Sequence, residues 1–339
     1  MSYGALSKYR SELMGMAMLW ILLYHAWDLR TGIPPLDLLR TLGFGGVDIF
    51  ILLSSLGLVC ALARREQTYT EFMARRAGRI LPAYFAVMVP STLLGIFRGT
   101  ALPSALVWDS LLLYYWISPA DTFNWYITGI MTFYALTPFF FRRMRAHRGR
   151  VRYTGIAVVL SLLLCQVLMR DGWWRYLDIF YRFPLFFLGL LMGFFVLEER
   201  PLKGRDILFW TAVFVAGVAY RSIILAHPYS YAPMVHMFLF TSVPVCLAGC
   251  VLFEKLPLGW LRKVLRLVGE NSLEIYLLNV CVVYNLEFLH SLFSFGPSNR
   301  LFWLIIFTAN ILLGILLHRL IEYLRRMVTD RCRAREQKA

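Results

Sequence analysis

Gly43-Phe44-Gly45-Gly46-Val47-Asp48-Ile49-Phe50-Ile51-Leu52-Leu53-Ser54-Ser55-Leu56-Gly57-Leu58-Val59-Cys60-Ala61-Leu62 decides the fold class. A helix rising 1.5 Å per residue crosses the ~30 Å hydrocarbon core of a bilayer in about 20 residues, and this run is that long with one charge, Asp48. Comparable runs lie near residues 11–29, 79–97, 122–141, 153–169, 181–197, 207–225, 232–252, 269–290 and 300–322. With 59% hydrophobic and only 16% charged residues, the chain is far from the about 25% charged residues of a soluble domain. The expected fold is all-α, a polytopic membrane bundle of about ten transmembrane helices. One membrane domain, 1–324, is followed by a basic cytoplasmic tail, 325–339.

The net charge of +15 sits in short clusters between apolar runs, which describes membrane topology and excludes a nucleic-acid-reading stripe. Placing both termini inside assigns 27 of the 35 Lys and Arg to the cytoplasm and leaves 8 outside, the asymmetry of the positive-inside rule. The cluster Arg142, Arg143, Arg145, Arg148, Arg150 and Arg152 is its main anchor. Pro103 to Ser118 is too short for a span and is expected to be interfacial or re-entrant. Trp173, Trp174, Tyr176 and Tyr181 are expected at the outer interface. Cys60, Cys165, Cys246, Cys250 and Cys281 lie in or beside apolar spans and Cys332 in the tail, with no disulfide or zinc spacing, so no metal is expected. The first apolar run lacks a cleavage site and reads as a retained helix.

An ionisable group near the centre of a span costs about 2.5 to 3.5 kcal/mol, so each requires a partner, a cavity or a task. His25 lies about 15 residues into the first helix, roughly 22 Å from its inner end. There it is either a general base or a neutral histidine bonded to a neighbouring helix. Asp48, near the outer start of the second helix with Ser54 and Ser55 deeper, either orients His25 or pairs with an arginine. Arg75, Arg76 and Arg79 share a helix face at the inner side. That face suits phosphates, although topological anchoring alone also accounts for it. Arg182 opens the sixth span and either snorkels or acts on substrate, while Glu274 and Asn279 lie in the ninth.

In order, these segments resemble the acyltransferase 3 family of bacterial membrane O-acyltransferases over nearly the whole chain. Tyr9-Arg10-Ser11-Glu12-Leu13 through Leu23-Tyr24-His25 resembles its first helix, and Gly46-Val47-Asp48-Ile49-Phe50 through Ser54-Ser55 its second. The most specific match is Phe72-Met73-Ala74-Arg75-Arg76-Ala77-Gly78-Arg79-Ile80-Leu81-Pro82-Ala83-Tyr84. Trp125-Tyr126-Ile127 to Phe133-Tyr134 with Pro138, Arg182-Phe183-Pro184 with Gly189, and Gly269 to Leu278 complete the series. Two positions depart from the pattern. Met14 stands where the family often has an arginine, with Arg10 one turn earlier, and Asn279 stands where many members carry a histidine.

The resemblance implies transfer of an acyl group, most often acetyl from acetyl-CoA, to a carbohydrate hydroxyl at the outer face of the bacterial cytoplasmic membrane. It implies His25 and Asp48 as catalytic residues, the first as general base or transient acyl acceptor. Arg75, Arg76, Arg79 and Tyr84 become the acyl-CoA residues, and Ser54, Trp125, Arg182 and Glu274 the substrate-side candidates. The implied partners are acyl-CoA, a carbohydrate acceptor and the lipid bilayer, without nucleic acid. With no soluble domain after the last apolar run, the chain resembles the family's stand-alone form. The rival reading is a transporter or flippase of a lipid-linked or small glycan, because buried polar residues also line substrate pathways.

Overall fold

The computed structural model describes residues 1–27, 29–146, 149–226, 233–257, 259–286 and 300–336. Arg148 of the basic cluster, Ala232 at the start of the eighth expected span, residues 287–290 at the end of the ninth and 337–339 of the tail lie outside them. The described residues are almost entirely helical, and no strand occurs among them. The helices that build the bundle are α1 (Arg10–His25), α2 (Gly45–Arg64), α3 (Tyr69–Phe97), α4 (Pro103–Ser110), α5 (Trp125–Ala146) and α6 (Arg150–Arg170). They continue with α7 (Phe183–Leu197), α8 (Gly204–Ala226), α9 (Met237–Lys255), α10 (Gly259–Glu270), α11 (Ser272–Tyr284) and α12 (Arg300–Glu336).

Among the described residues, seven helical stretches are long and apolar enough to cross a membrane: Gly45–Arg64, Tyr69–Phe97, Arg150–Arg170, Trp174–Leu197, Gly204–Ala226, Met234–Lys255 and Arg300–Val328. The expected first, fourth and ninth spans are not among the seven; the fourth forms α5, 22 residues long, whose Trp, Tyr and Thr side chains lower its hydropathy. α1 stops at His25, four residues before the expected end at 29, because Ala26 leaves helical geometry at φ −84°, ψ 63°. Of the described residues of the ninth expected run, 269–290, only the 13 residues of α11 form one helix, which starts after Asn271 and ends at Tyr284, too short to cross a bilayer. α10 is amphipathic, with Leu265 and Val268 buried and Trp260 exposed. The last helix continues without interruption through the expected 324/325 boundary.

α2 and α7 lie at the centre of the bundle, whereas α6 and α8 present mostly exposed apolar surface, as helices facing lipid do. Apolar burial cannot hold helices together inside lipid, so close packing and polar contacts must. The α1–α10 contact shows how. A Cβ on Gly15 would sit 1.9 Å from the Leu265 carbonyl oxygen, and one on Gly269 would sit 1.8 Å from that of Ser11. The two backbones therefore touch, and any larger residue at either position separates them. Beside this contact the buried Glu12 carboxylate takes Arg266 at 2.6 Å and Arg262 at 3.7 Å. The 103–118 segment forms α4 and a single turn, Tyr114–Ile117, separated where Leu112 adopts φ 59°. Neither piece is long enough to cross a bilayer.

Candidate active site

The end of α1 is a built feature. The Arg40 guanidinium, itself buried, donates to the carbonyls of Ala26 and Trp27, both at 3.1 Å. These carbonyls follow the last helical turn; that of Ala26 also accepts from the Leu29 N–H at 3.1 Å, and the guanidinium adds a charged donor to both. The Trp20 indole N–H adds a 2.6 Å bond to the Leu39 carbonyl, tying the 26–44 connection back onto α1. His25 is thereby held as the terminal residue of its helix.

Its imidazole Nδ1 bonds the side-chain oxygen of Asn279 on α11. An amide oxygen only accepts, so this contact places the proton on Nδ1 and leaves the Nε2 lone pair available. α11 is fixed from behind by Asn310 of α12. With its amide oriented to satisfy both groups, Asn310 donates to the Ile275 carbonyl at 2.9 Å and accepts from the Asn279 backbone N–H at 3.2 Å.

A cavity of about 100 Å³ opens among five helices, with neither His25 nor Asn279 in its described lining. Arg10 and Met14 come from α1, Ser54 and Gly57 from α2, Arg76 and Arg79 from α3, Tyr126 and Tyr134 from α5, Ser272 and Tyr276 from α11. Its described lining holds three guanidiniums and no carboxylate. Arg10 enters by crossing α2 at Gly57, where a Cβ would come within 3.1 Å of the guanidinium carbon, and its Nε donates to the Leu53 carbonyl at 3.0 Å. Arg76 lies 5.3 Å from the Phe72 ring centroid and 6.0 Å from that of Tyr134. Tyr276 packs edge-on against Tyr126 at 4.9 Å and precedes Asn279 by one helical turn. A net-positive cavity thus runs to within a turn of the residue that holds the imidazole. It is smaller than the ~300 Å³ of a typical small-molecule pocket, so it suits a slender part of a ligand and leaves a bulky anionic part at its mouth.

The other expected site residues are distributed differently. Asp48 does not hold the imidazole: it is fully buried and faces Arg182, Oδ1 to Nε 3.8 Å. Arg182 also reaches Asp178, donating to its carbonyl at 2.9 Å, and stands over the Trp125 ring at 4.7 Å. The arginine pair left open by the sequence is the arrangement adopted, because burying a lone carboxylate is costly. Ser54 lines the arginine cavity, whereas Arg75, exposed on α3, and Tyr84 do not. Tyr84 is buried higher on α3 and donates to the Asp109 carbonyl at 3.1 Å. Glu274 turns toward α12 and pairs with His318 at 2.9 Å. Arg40, Tyr126, Tyr134, Tyr276 and His318 were not singled out as site residues. Their common signal is a polar or hydroxyl group placed at or beside an apolar run.

A segment of 106 residues is 34% identical to the exopolysaccharide production protein ExoZ of Rhizobium meliloti, covering 28% of this chain and 33% of that protein. The match therefore spans about a third of the relative's length. No solved structure is significantly similar to the chain. The family model described as an acyltransferase domain matches residues 13–319, nearly the whole helical bundle, and the chain accordingly belongs to the acyltransferase 3 family of membrane acyltransferases.

Proposed function

We propose that this protein moves an acyl group, in the first instance acetyl, from acyl-CoA to a hydroxyl of a cell-envelope or secreted carbohydrate. The observation that carries the reading is the three-guanidinium cavity ending one helical turn from the residue that orients His25. Phosphates of CoA bind at its mouth on Arg76 and Arg79, with exposed Arg75 one turn away extending the positive face. Arg10 supplies the guanidinium that Met14 does not. The slender pantetheine arm follows the cavity past Ser54 and Tyr126 toward His25.

Nε2 of His25 takes the proton of the acceptor hydroxyl as its oxygen attacks the thioester carbonyl. The tetrahedral intermediate collapses by breaking the C–S bond, and the imidazolium returns its proton to the departing CoA thiolate. An acyl-histidine route uses the same nitrogen as nucleophile. Topology follows the charge: the arginine-cavity end and both termini face the cytoplasm, and the protein resides in the bacterial cytoplasmic membrane. That the ExoZ relative is an exopolysaccharide production protein favours an exopolysaccharide as acceptor.

The test is transfer of radiolabelled acetyl from acetyl-CoA to extracted envelope glycans by purified wild type and His25→Ala. Label in glycan with wild type and a loss of at least about 100-fold in the variant is expected. Equal label with both would make His25 structural. No label with either, across several acyl-CoAs and with folded protein, would return weight to glycan transport.

A further inference from the structure

A second polar cavity, about 270 Å³ in volume, lies at the other end of α3 and α11. Ser91 and Thr92 enter it from the last turns of α3, Asp109 from α4, and Tyr114 from the turn after it. Asp121 lies on the following loop, and Asn285 just past the end of α11. All but Asp121 are buried. The cavity is organised by its own bonds. Asp109 Oδ1 accepts from the Thr122 hydroxyl at 2.9 Å and from the Phe123 backbone N–H at 3.2 Å. Asn285 donates to the Ser91 hydroxyl at 3.4 Å and accepts from Arg98 at 3.4 Å.

Its chemistry is the reverse of the first cavity's. The described lining contains two carboxylates and no Lys or Arg, with Arg98 touching it through Asn285, so it lacks the clustered guanidiniums that suit phosphate in the arginine cavity. Carboxylates, hydroxyls and an amide beside the Tyr114 and Phe123 rings are the partners of a neutral, hydroxyl-rich ligand: carboxylates accept from several hydroxyls, the amide donates and accepts, and the rings cover an apolar face. The volume approaches the lower bound for a small-molecule pocket. Along α11, Tyr276 of the first cavity lies one turn before Asn279, and Asn285 of the second follows by six residues, about 9 Å of helix rise. The residue that orients His25 thus lies between the two cavities along that axis.

We infer that this cavity is the subsite for the acceptor saccharide, receiving one sugar unit of the glycan on Asp109, Thr92 and Asn285. The inference rests on the acyltransferase reading for its link to His25, but saccharide binding can be tested apart from turnover.

Ala120 is exposed on the cavity rim, so Ala120→Trp obstructs entry without disturbing buried packing, and Thr92→Val removes one buried hydroxyl while keeping its shape. The probe is an alkali-de-esterified oligosaccharide pool from a bacterial exopolysaccharide. It is assayed for binding to detergent-purified full-length protein by titration calorimetry and for acyl transfer from acetyl-CoA. At least a tenfold rise in saccharide KM and Kd for Ala120→Trp, a smaller rise for Thr92→Val and an unchanged acyl-CoA KM are expected. Unchanged saccharide binding in both variants would overturn the assignment while leaving the acyltransferase reading intact. Binding by wild type that Ala120→Trp abolishes, without any transfer, would uphold the saccharide site and sink the acyltransferase reading. No saccharide binding and no transfer by wild type would overturn both.

Discussion

The two cavities on α3 and α11 share helices and differ in almost everything else. The first has three guanidiniums and is narrow; the second has two carboxylates and nearly three times the volume. On the proposed reading, the two linings serve different substrates, an anionic nucleotide thioester on one side and a neutral polyol on the other. Along α11, Asn279, which holds the His25 imidazole, stands between the two linings.

That contrast makes the linking residue the place of largest effect. Asn279→Leu removes the oxygen that fixes the Nδ1–H tautomer, and a kcat loss of about 100-fold is expected with little change in KM for either substrate. Asn279→Asp, which keeps an acceptor, should recover a large part of that loss. A change confined to one substrate's KM would show that Asn279 belongs to one cavity and not to the connection between them. Arg76→Ala comes next in size. Loss of a charge-assisted contact to phosphate is worth about 1.5 to 3 kcal/mol, so the acyl-CoA KM should rise about 10- to 100-fold. The saccharide KM should stay as it was. If both KM values rise together, the two cavities are one site and the comparison fails.

The all-helical bundle was legible from apolar run length, which offered about ten spans where seven helices are long and apolar enough; the structure groups Ser54, expected on the substrate side, with Arg76 and Arg79 around one cavity. What stayed illegible depends on contacts between distant residues. The choice between orienting His25 and pairing with arginine was open for Asp48, because Arg182 lies far along the chain and only packing brings it to 3.8 Å. The partner of His25 is 254 positions away, and Asn279 entered the sequence reading only as a departure from a pattern. The early end of α1 was hidden because the cap comes from Arg40, beyond a turn that run length cannot see. The break between α10 and α11 at Asn271 likewise depends on α10 packing against α1 through Gly15 and Gly269. Pro103 to Ser118 was recognisably too short to span, but its apolar composition concealed that it delivers Asp109 to a polar cavity.

Asp109 offers the smallest and most local way to sharpen the comparison. Burial pushes its carboxyl up to about 6 from the ordinary carboxylate value, opposed by the Thr122 hydroxyl and the Phe123 N–H that favour the charged form. A raised folded-state pKa means that the folded segment binds the proton more tightly than the unfolded chain does. The associated stability is therefore fully present below about pH 4 and is lost as pH rises through about 6, amounting to roughly 2 to 3 kcal/mol. Amides of residues 103–123, followed by hydrogen–deuterium exchange corrected for intrinsic rates, should lose protection between pH 4 and pH 7. Asp109→Asn keeps an acceptor for Thr122 and Phe123 and should flatten that slope. Above pH 6 the same deprotonation gives the cavity a full acceptor charge, so saccharide affinity should rise while the segment around it loosens. Identical slopes in wild type and Asp109→Asn would mean that this carboxyl does not set the charge of the second cavity, and the contrast in sign would then rest on exposed Asp121 alone.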